Sequence, residues 1–400
     1  MICPNGRGLP SNMNHWRNQT SVPNLQLPGE QQTLIPKSSA IDEMAGRIER
    51  LDGGKTAWIV LLGVFCAFFS SLSMLNSMGG YQTWLTNHQL KSESASNIGW
   101  IFSFYSFFSF FAGLVIGPIF DAHGPRHLTV FGSILTLVNY LLLGVCRSYW
   151  HFFICIGVIG GLATCMLFIA AIGTTQHWFV KHRGFATGLG ISGGSIGGIV
   201  FPLLLGSMLP RFGFATTTHV IAGVLSPFLT LAIILLRIPT AAKSDRVGFR
   251  IALPRVTVLL ELKTAVMAVG LLLAEMALYI PLSFLPRYAL AHGLSLTTSY
   301  RMLMFVNIGS LCGRWFPGLI AEKIGPFNMN ILSMVLCTVS VLGIWGVAEG
   351  SEAVLTVFAV LFGFGSGSTI SLIPVCIGCL CKTEEYGSVY SILSTVSSLG

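Results

Sequence analysis

Residues 117–126 read Gly117-Pro118-Ile119-Phe120-Asp121-Ala122-His123-Gly124-Pro125-Arg126. The chain then reads, 201 residues further on, Gly318-Leu319-Ile320-Ala321-Glu322-Lys323-Ile324-Gly325-Pro326-Phe327. Each stretch places an acid four residues after a glycine and ends on a Gly-Pro pair. A looser echo sets Gly184 against Gly387, 203 residues apart. Two matches at nearly one offset describe parallel repeats of about 200 residues, the plan of carriers built from two six-helix halves. Gly117 suits a close helix approach, and Gly124 a positive φ at a tight turn. Asp121 is expected either to bind the N-terminal amides of a neighbouring helix or to pair with Arg126. Either contact makes a latch that opens when the halves rock, with Glu322 as its second-half copy.

Around these stretches the chain is strongly apolar. Of 400 residues, 53% are hydrophobic and 10% charged, where a soluble domain carries roughly 25% charged residues. This composition predicts an all-α membrane protein with lipid as its main partner, and argues against soluble enzymes and nucleic-acid binders despite the net charge of +8. Apolar runs long enough to span, about 20 residues each, occupy 56–78, 98–120, 128–146, 150–174, 185–209, 214–236, 264–285, 302–321, 327–348 and 353–380. An eleventh begins near Tyr386, leaving 15 residues to Gly400. A plan of six plus six spans is therefore expected to be cut short in the eleventh helix.

The polar residues 1–55 read as a disordered tail, and residues 237–263, with six basic side chains, as a linker between an N-terminal bundle (56–236) and a C-terminal one (264–400). Lys and Arg stay on the cytosolic side of membrane proteins. With the N-terminus inside, 17 of the 23 fall inside, five outside and Arg314 within a span. The tail and linker are thus expected to be cytosolic, the sequon at Asn18 unglycosylated and the plasma membrane the host.

Ionisable residues inside spans are rare and mark function by default. Two qualify: Glu275, near the middle of the seventh run, and Arg314 in the eighth. The plainer readings are a structurally hydrogen-bonded or protonated carboxyl and a snorkelling arginine. Gly190, Gly194 and Gly198, with Gly193 and Gly197, give the fifth run small residues four apart, which suits backbone contact between helices. No strand precedes them, so a phosphate loop is the poorer reading. Cys376, Cys379 and Cys381 lie in or beside an apolar run without a partner cluster, so no metal is expected. His177 and His219 read as hydrogen-bonded core residues. No cofactor is called for, and nothing in the spacing points to catalysis.

Asp52-Gly53-Gly54 followed by Trp58, Ile98-Gly99-Trp100-Ile101, and Trp178-Phe179-Val180-Lys181-His182-Arg183-Gly184 with Ala186 and Gly188 resemble signatures of the monocarboxylate-transporter-like branch of the major facilitator superfamily, particularly its fungal members. The 117–126 stretch resembles that superfamily's signature loop. The resemblance covers nearly all of residues 52–400. It implies a two-bundle fold and a permease or symporter that moves a small organic solute, a monocarboxylate among the candidates, by alternating access. It also implies that Arg314, in Gly313-Arg314-Trp315-Phe316-Pro317-Gly318, takes the place of the family's substrate-anion arginine. Ser310 stands where proton-coupled animal members carry an acid, and Asn76 where they carry a lysine. Both join the expected substrate site. Glu275 is the candidate to supply the missing titratable group, with H+ as co-substrate. The alternatives are an exporter of secondary metabolites or drugs, and a non-transporting receptor or assembly partner.

Overall fold

The computed structural model describes residues 54–179, 182–238, 261–381 and 383–399. The tail and linker, with their sidedness and the sequon, fall for the most part outside the described residues. Among the described residues the chain is helical throughout, with nine helices long and apolar enough to cross a membrane. The longest, Arg183–Leu235, is two spans joined at Gly213, whose φ of 74° breaks the helical path. A side chain would resist that backbone, so the fifth and sixth spans meet at a glycine kink with Pro210 nearby instead of at a loop.

The first span runs Lys55–Asn87, nine residues past the sequence-based end at 78. The second is made of Ala95–Phe111 and Gly113–His123, divided at Ala112. The third is Pro125–Leu143, and the fourth passes through a π-helical stretch, Phe153–Gly160, into Gly161–Trp178. The seventh to eleventh begin with Leu262–Ala291, Leu296–Ile324, Pro326–Val339, Glu352–Gly378 and Tyr386–Ser397 respectively. The second-to-third and eighth-to-ninth turns are single glycines, Gly124 (φ 79°) and Gly325 (φ 92°), each followed by a proline at the first helical position. Proline costs nothing there, because that N–H has no helical partner in any case.

Three apolar clusters organise the interior. One, with Tyr81, Tyr105, Phe152 and Phe214, lies wholly within the first six spans; another, with Leu278, Met302, Phe358 and Phe362, lies within the seventh to tenth. The third joins the two sides, packing Val64, Phe120 and Ala170 with Leu271, Ile377 and Tyr390. Opposite these faces stand Leu141, Ile234, Leu273, Ile331 and Leu342, all more than half exposed, as spans bathed in lipid require. His219 belongs to this outer face, and its Nε2 donates to the Leu141 carbonyl at 3.3 Å. The expectation of a core histidine is corrected there.

Candidate functional site

Two helix crossings join the halves, and the repeated stretches lie in them. In the first, the second span meets the eleventh. A Cβ on Gly117 would collide with the Gly387 carbonyl oxygen and with Ser391 Oγ. The close approach carries Asp121 onto the start of the eleventh helix. Its Oδ1 accepts from the Gly387 amide at 2.9 Å, and its Oδ2 from the Ser388 amide at 2.7 Å and the Ser388 hydroxyl at 2.6 Å. The first N–H groups of a helix lack internal partners and carry the positive end of its dipole, so a carboxylate answers both needs. Arg126 is exposed and makes no ion pair with Asp121 among the described residues. Of the two partners expected for Asp121, the structure takes the helix terminus.

In the second crossing the fifth span meets the eighth. Cβ atoms on Gly184 and Gly318 would lie 2.8 and 2.7 Å from each other's carbonyl oxygens, and one on Gly188 would overlap the Arg314 carbonyl oxygen. Glu322 here meets a side chain: His182 Nδ1 is 3.1 Å from each Glu322 oxygen. Arg183 adds a link the sequence reading gave no role of its own. Its Nη1 donates to the Gly378 carbonyl at 3.5 Å and its Nη2 to Thr383 Oγ1 at 3.2 Å, across the halves. A basic residue at the mouth of the fifth span was the available signal. Trp58, from the first-span signature, packs edge-on against Phe179 and Phe185 of the same entry segment, with ring centroids 5.6 and 6.3 Å away.

Arg314 lies deeper in the second crossing. Only 3% of it is exposed. Its Nη1 donates to the Ile191 carbonyl at 2.5 Å, while its Nε is buried without a partner among the described residues. An arginine presents five donors in a fixed fork, and among the described residues this one is bonded to a single backbone oxygen. A buried donor left unpaired costs roughly 1–3 kcal/mol, which an incoming anion would recover. Snorkelling does not describe it, because the guanidinium points into the joint between the halves and not to an aqueous edge.

One turn before Arg314, Ser310 accepts from Ser195 Oγ at 3.3 Å. Asn76, eleven residues before the end of its helix, donates to the Gly194 carbonyl at 2.7 Å. Buried Asn307 joins them, unpredicted. The Cβ that Gly198 lacks would lie 2.5 Å from Asn307 Oδ1 and 2.9 Å from Asn76 Cβ. Asn307 precedes Arg314 by seven residues, two helical turns or about 10 Å on one face; that spacing was the sequence signal. The first, fifth and eighth spans thus align Asn76 and Asn307, then Ser195 and Ser310, then Arg314.

The glycines divide their work. Gly193 and Gly197 face the first-span backbone at Phe65 and Phe69, whereas Gly190 and Gly194 meet the side chains of Val64 and Leu72. The backbone contact expected of the 190/194/198 series therefore belongs to its companion pair. Glu275, the fourteenth of thirty residues in its helix, stands apart from this group, on the seventh span. Among the described residues no group of three His, Cys, Asp or Glu side chains is placed to hold a metal.

Two helical halves joined by glycine crossings, with a guanidinium buried in the joint, define a membrane carrier. The chain belongs to the Major Facilitator Superfamily, whose family model matches residues 58–400, and it is a secondary transporter. A riboflavin transporter of Saccharomyces cerevisiae is 31% identical over 369 residues, covering 87% of this chain and 71% of that protein. An aspyridones efflux protein of Emericella nidulans is 31% identical over 350 residues, covering 87% and 70%. The solved structure of a human organic anion transporter shares the fold with a TM-score of 0.62 at 15% identity, over 86% of this chain and 90% of that one.

Proposed function

We propose that this chain moves a small organic anion, with a monocarboxylate as the simplest member of the class, by alternating access, and that Arg314 receives the anionic group. The observation that carries this reading is the buried guanidinium with one backbone partner and an orphaned Nε. A carboxylate matches the fork at two points and forms stronger, charge-assisted bonds than a neutral carbonyl does. Asn76, Asn307 and Ser310 would position the rest of the solute along the same wall. The Asp121 and Glu322 contacts would hold the halves together at one end, the end we assign to the cytosol on the charge asymmetry, and would part when the carrier opens there. A proton is the proposed coupling ion, with Glu275 as the protonatable carboxyl.

The efflux relatives support export as a second direction for the same machinery. Counterflow of labelled organic acids in sealed vesicles of either orientation separates the two directions. The central test is Arg314→Lys, which keeps the charge and loses the fork. It is expected to lower transport at least about tenfold at unchanged surface abundance, in line with the loss of a charge-assisted bond. Transport at the parental rate and affinity would end the anion-site assignment.

A further inference from the structure

The first six spans enclose a polar cavity that has no part in the Arg314 wall. Its volume is about 10 Å³, and it is lined by Ser71 and Met74 of the first span, Thr136, Asn139 and Tyr140 of the third, and Thr164 of the fourth. Each of these is more than nine-tenths buried. Gly160, the last residue of the π-helical stretch, makes the room, since a Cβ there would lie 3.2 Å from Asn139 Nδ2. Part of the polar lining is already bonded. Tyr105 OH lies 2.9 Å from Thr164 Oγ1, which donates to the Ser71 carbonyl at 3.3 Å. The Thr136 hydroxyl donates to the Gly132 carbonyl at 2.8 Å, and Asn139 Oδ1 accepts from Cys155 Sγ at 3.2 Å. The rest is not. Ser71 Oγ and Tyr140 OH have no hydrogen-bond partner among the described residues. Asn139 Nδ2 has the Met74 sulfur at 3.7 Å, a weak acceptor. Buried hydroxyls and amides are costly to leave unpaired, and three of them line one small cavity.

We infer that this cavity is a binding site for one water molecule, which ties the first span to the third and fourth. A buried water needs roughly 10–15 Å³ and two to four polar partners, and both conditions are met here. The water accepts from Tyr140 OH and Asn139 Nδ2, and donates to Ser71 Oγ and to the free lone pair of Thr136 Oγ1. Met74 and Asn76 are two residues apart, so the water fixes the stretch of the first span that carries Asn76 to the solute wall. The inference does not depend on the Arg314 reading. The second half solves the same position by packing. Thr136 and Asn139 correspond, at the offset of 201, to Cys337 and Ser340 of the ninth span. There the tenth span comes in on a glycine: a Cβ on Gly365 would lie 2.6 Å from Cys337 Sγ and 3.0 Å from the Ser333 carbonyl oxygen. The Ser340 hydroxyl is used within its own helix, donating to the Leu336 carbonyl at 2.7 Å.

The test compares two serines of the first span in the full chain, purified in nanodiscs. Ser71 and Ser77 are each 2% exposed, and the Oγ of each is without a partner among the described residues, but only Ser71 lines the cavity. Removing a hydroxyl that bonds nothing is neutral or stabilising, whereas removing one that holds a water leaves the water's other partners short of a bond. Ser71→Ala is therefore expected to lower the thermal midpoint by about 1–3 °C, and Ser77→Ala to leave it level or raise it. Tyr140→Phe should also lower it, and the Ser71→Ala/Tyr140→Phe double variant should lose less than the sum, because both act through one water. A Ser71→Ala midpoint at or above the parental one, or no lower than that of Ser77→Ala, overturns the site. Density is the second measurement. A map that resolves ordered water should show one solvent peak within about 3.2 Å of Ser71 Oγ and Tyr140 OH; well-defined side chains with no peak between them overturn the site as well.

Discussion

The two crossings that join the halves share a backbone plan and differ in chemistry. At each, a glycine of the repeated stretch meets a glycine opening a helix of the other half: Gly117 against Gly387, and Gly318 against Gly184. The acid four residues on then finds different partners. Asp121 takes two backbone amides and a hydroxyl, while Glu322, one methylene longer, reaches the imidazole of His182. Two turns deeper, at the repeat offsets, Gly113 and Ser391 in the first crossing correspond to Arg314 and Gly188 in the second. The first is a neutral hinge of small residues, and the second carries a cation. Duplication supplied the close approach twice, and a charge entered the joint on one side only.

The comparison breaks most readily at the glycines. Gly117→Val and Gly188→Val each put methyl groups where carbonyl oxygens of the other half stand. Both are expected to abolish uptake while leaving protein in the membrane, measured as labelled-solute flux against surface abundance. Gly113→Ala sharpens the contrast, since its Cβ would meet only Ile169 Cδ1 at 3.4 Å and Ser391 at 3.6 Å. Transport within about threefold of wild type is expected there, an effect under roughly 1 kcal/mol.

Next in size is Asp121→Asn, which keeps the shape but replaces bonds to a charged acceptor with neutral ones. The difference is roughly 1 kcal/mol or more, so the closed arrangement of this end should fall several-fold to about tenfold. Cross-linking of cysteine pairs introduced across the second and eleventh spans reads that population. A weaker effect than that of Glu322→Gln would reverse the ranking of the two crossings. The smallest change is expected from His182→Gln. The His182 side chain is 39% exposed and that of Glu322 23%, and exposed pairs contribute at most about 1 kcal/mol before screening. Transport should change no more than about threefold, and less in high salt, with flux compared at low and high ionic strength.

Membrane residence, ten spans with the start of an eleventh, and the repeat were legible because each has a local signature: apolar runs of fixed length, Gly-Pro turns, and one offset seen twice. Helix ends were less legible. The first span continues to Asn87 through polar residues such as Gln82 and Thr86, where Thr86 Oγ1 bonds back to the Gln82 carbonyl. The fifth-to-sixth junction reads as a loop from Pro210-Arg211, yet the backbone stays helical to Gly213. Arg314 and Glu275 stood out because charge is rare in a span, whereas Asn307 and Arg183 carried no such contrast with their surroundings.

By itself the sequence determined the solvent, the class of fold, the turns at Gly124 and Gly325, and the candidate charges, since these follow from composition, spacing and the φ that glycine permits. Only the tertiary structure decided what those charges meet. Asp121 binds amides 266 and 267 residues away, Arg314 a carbonyl 123 residues away, and Asn76 and Asn307 converge on Gly198 from different spans. Pairing across such separations depends on how helices cross, and the crossing angle and depth are set by the summed packing of whole faces, which no short stretch of residues encodes.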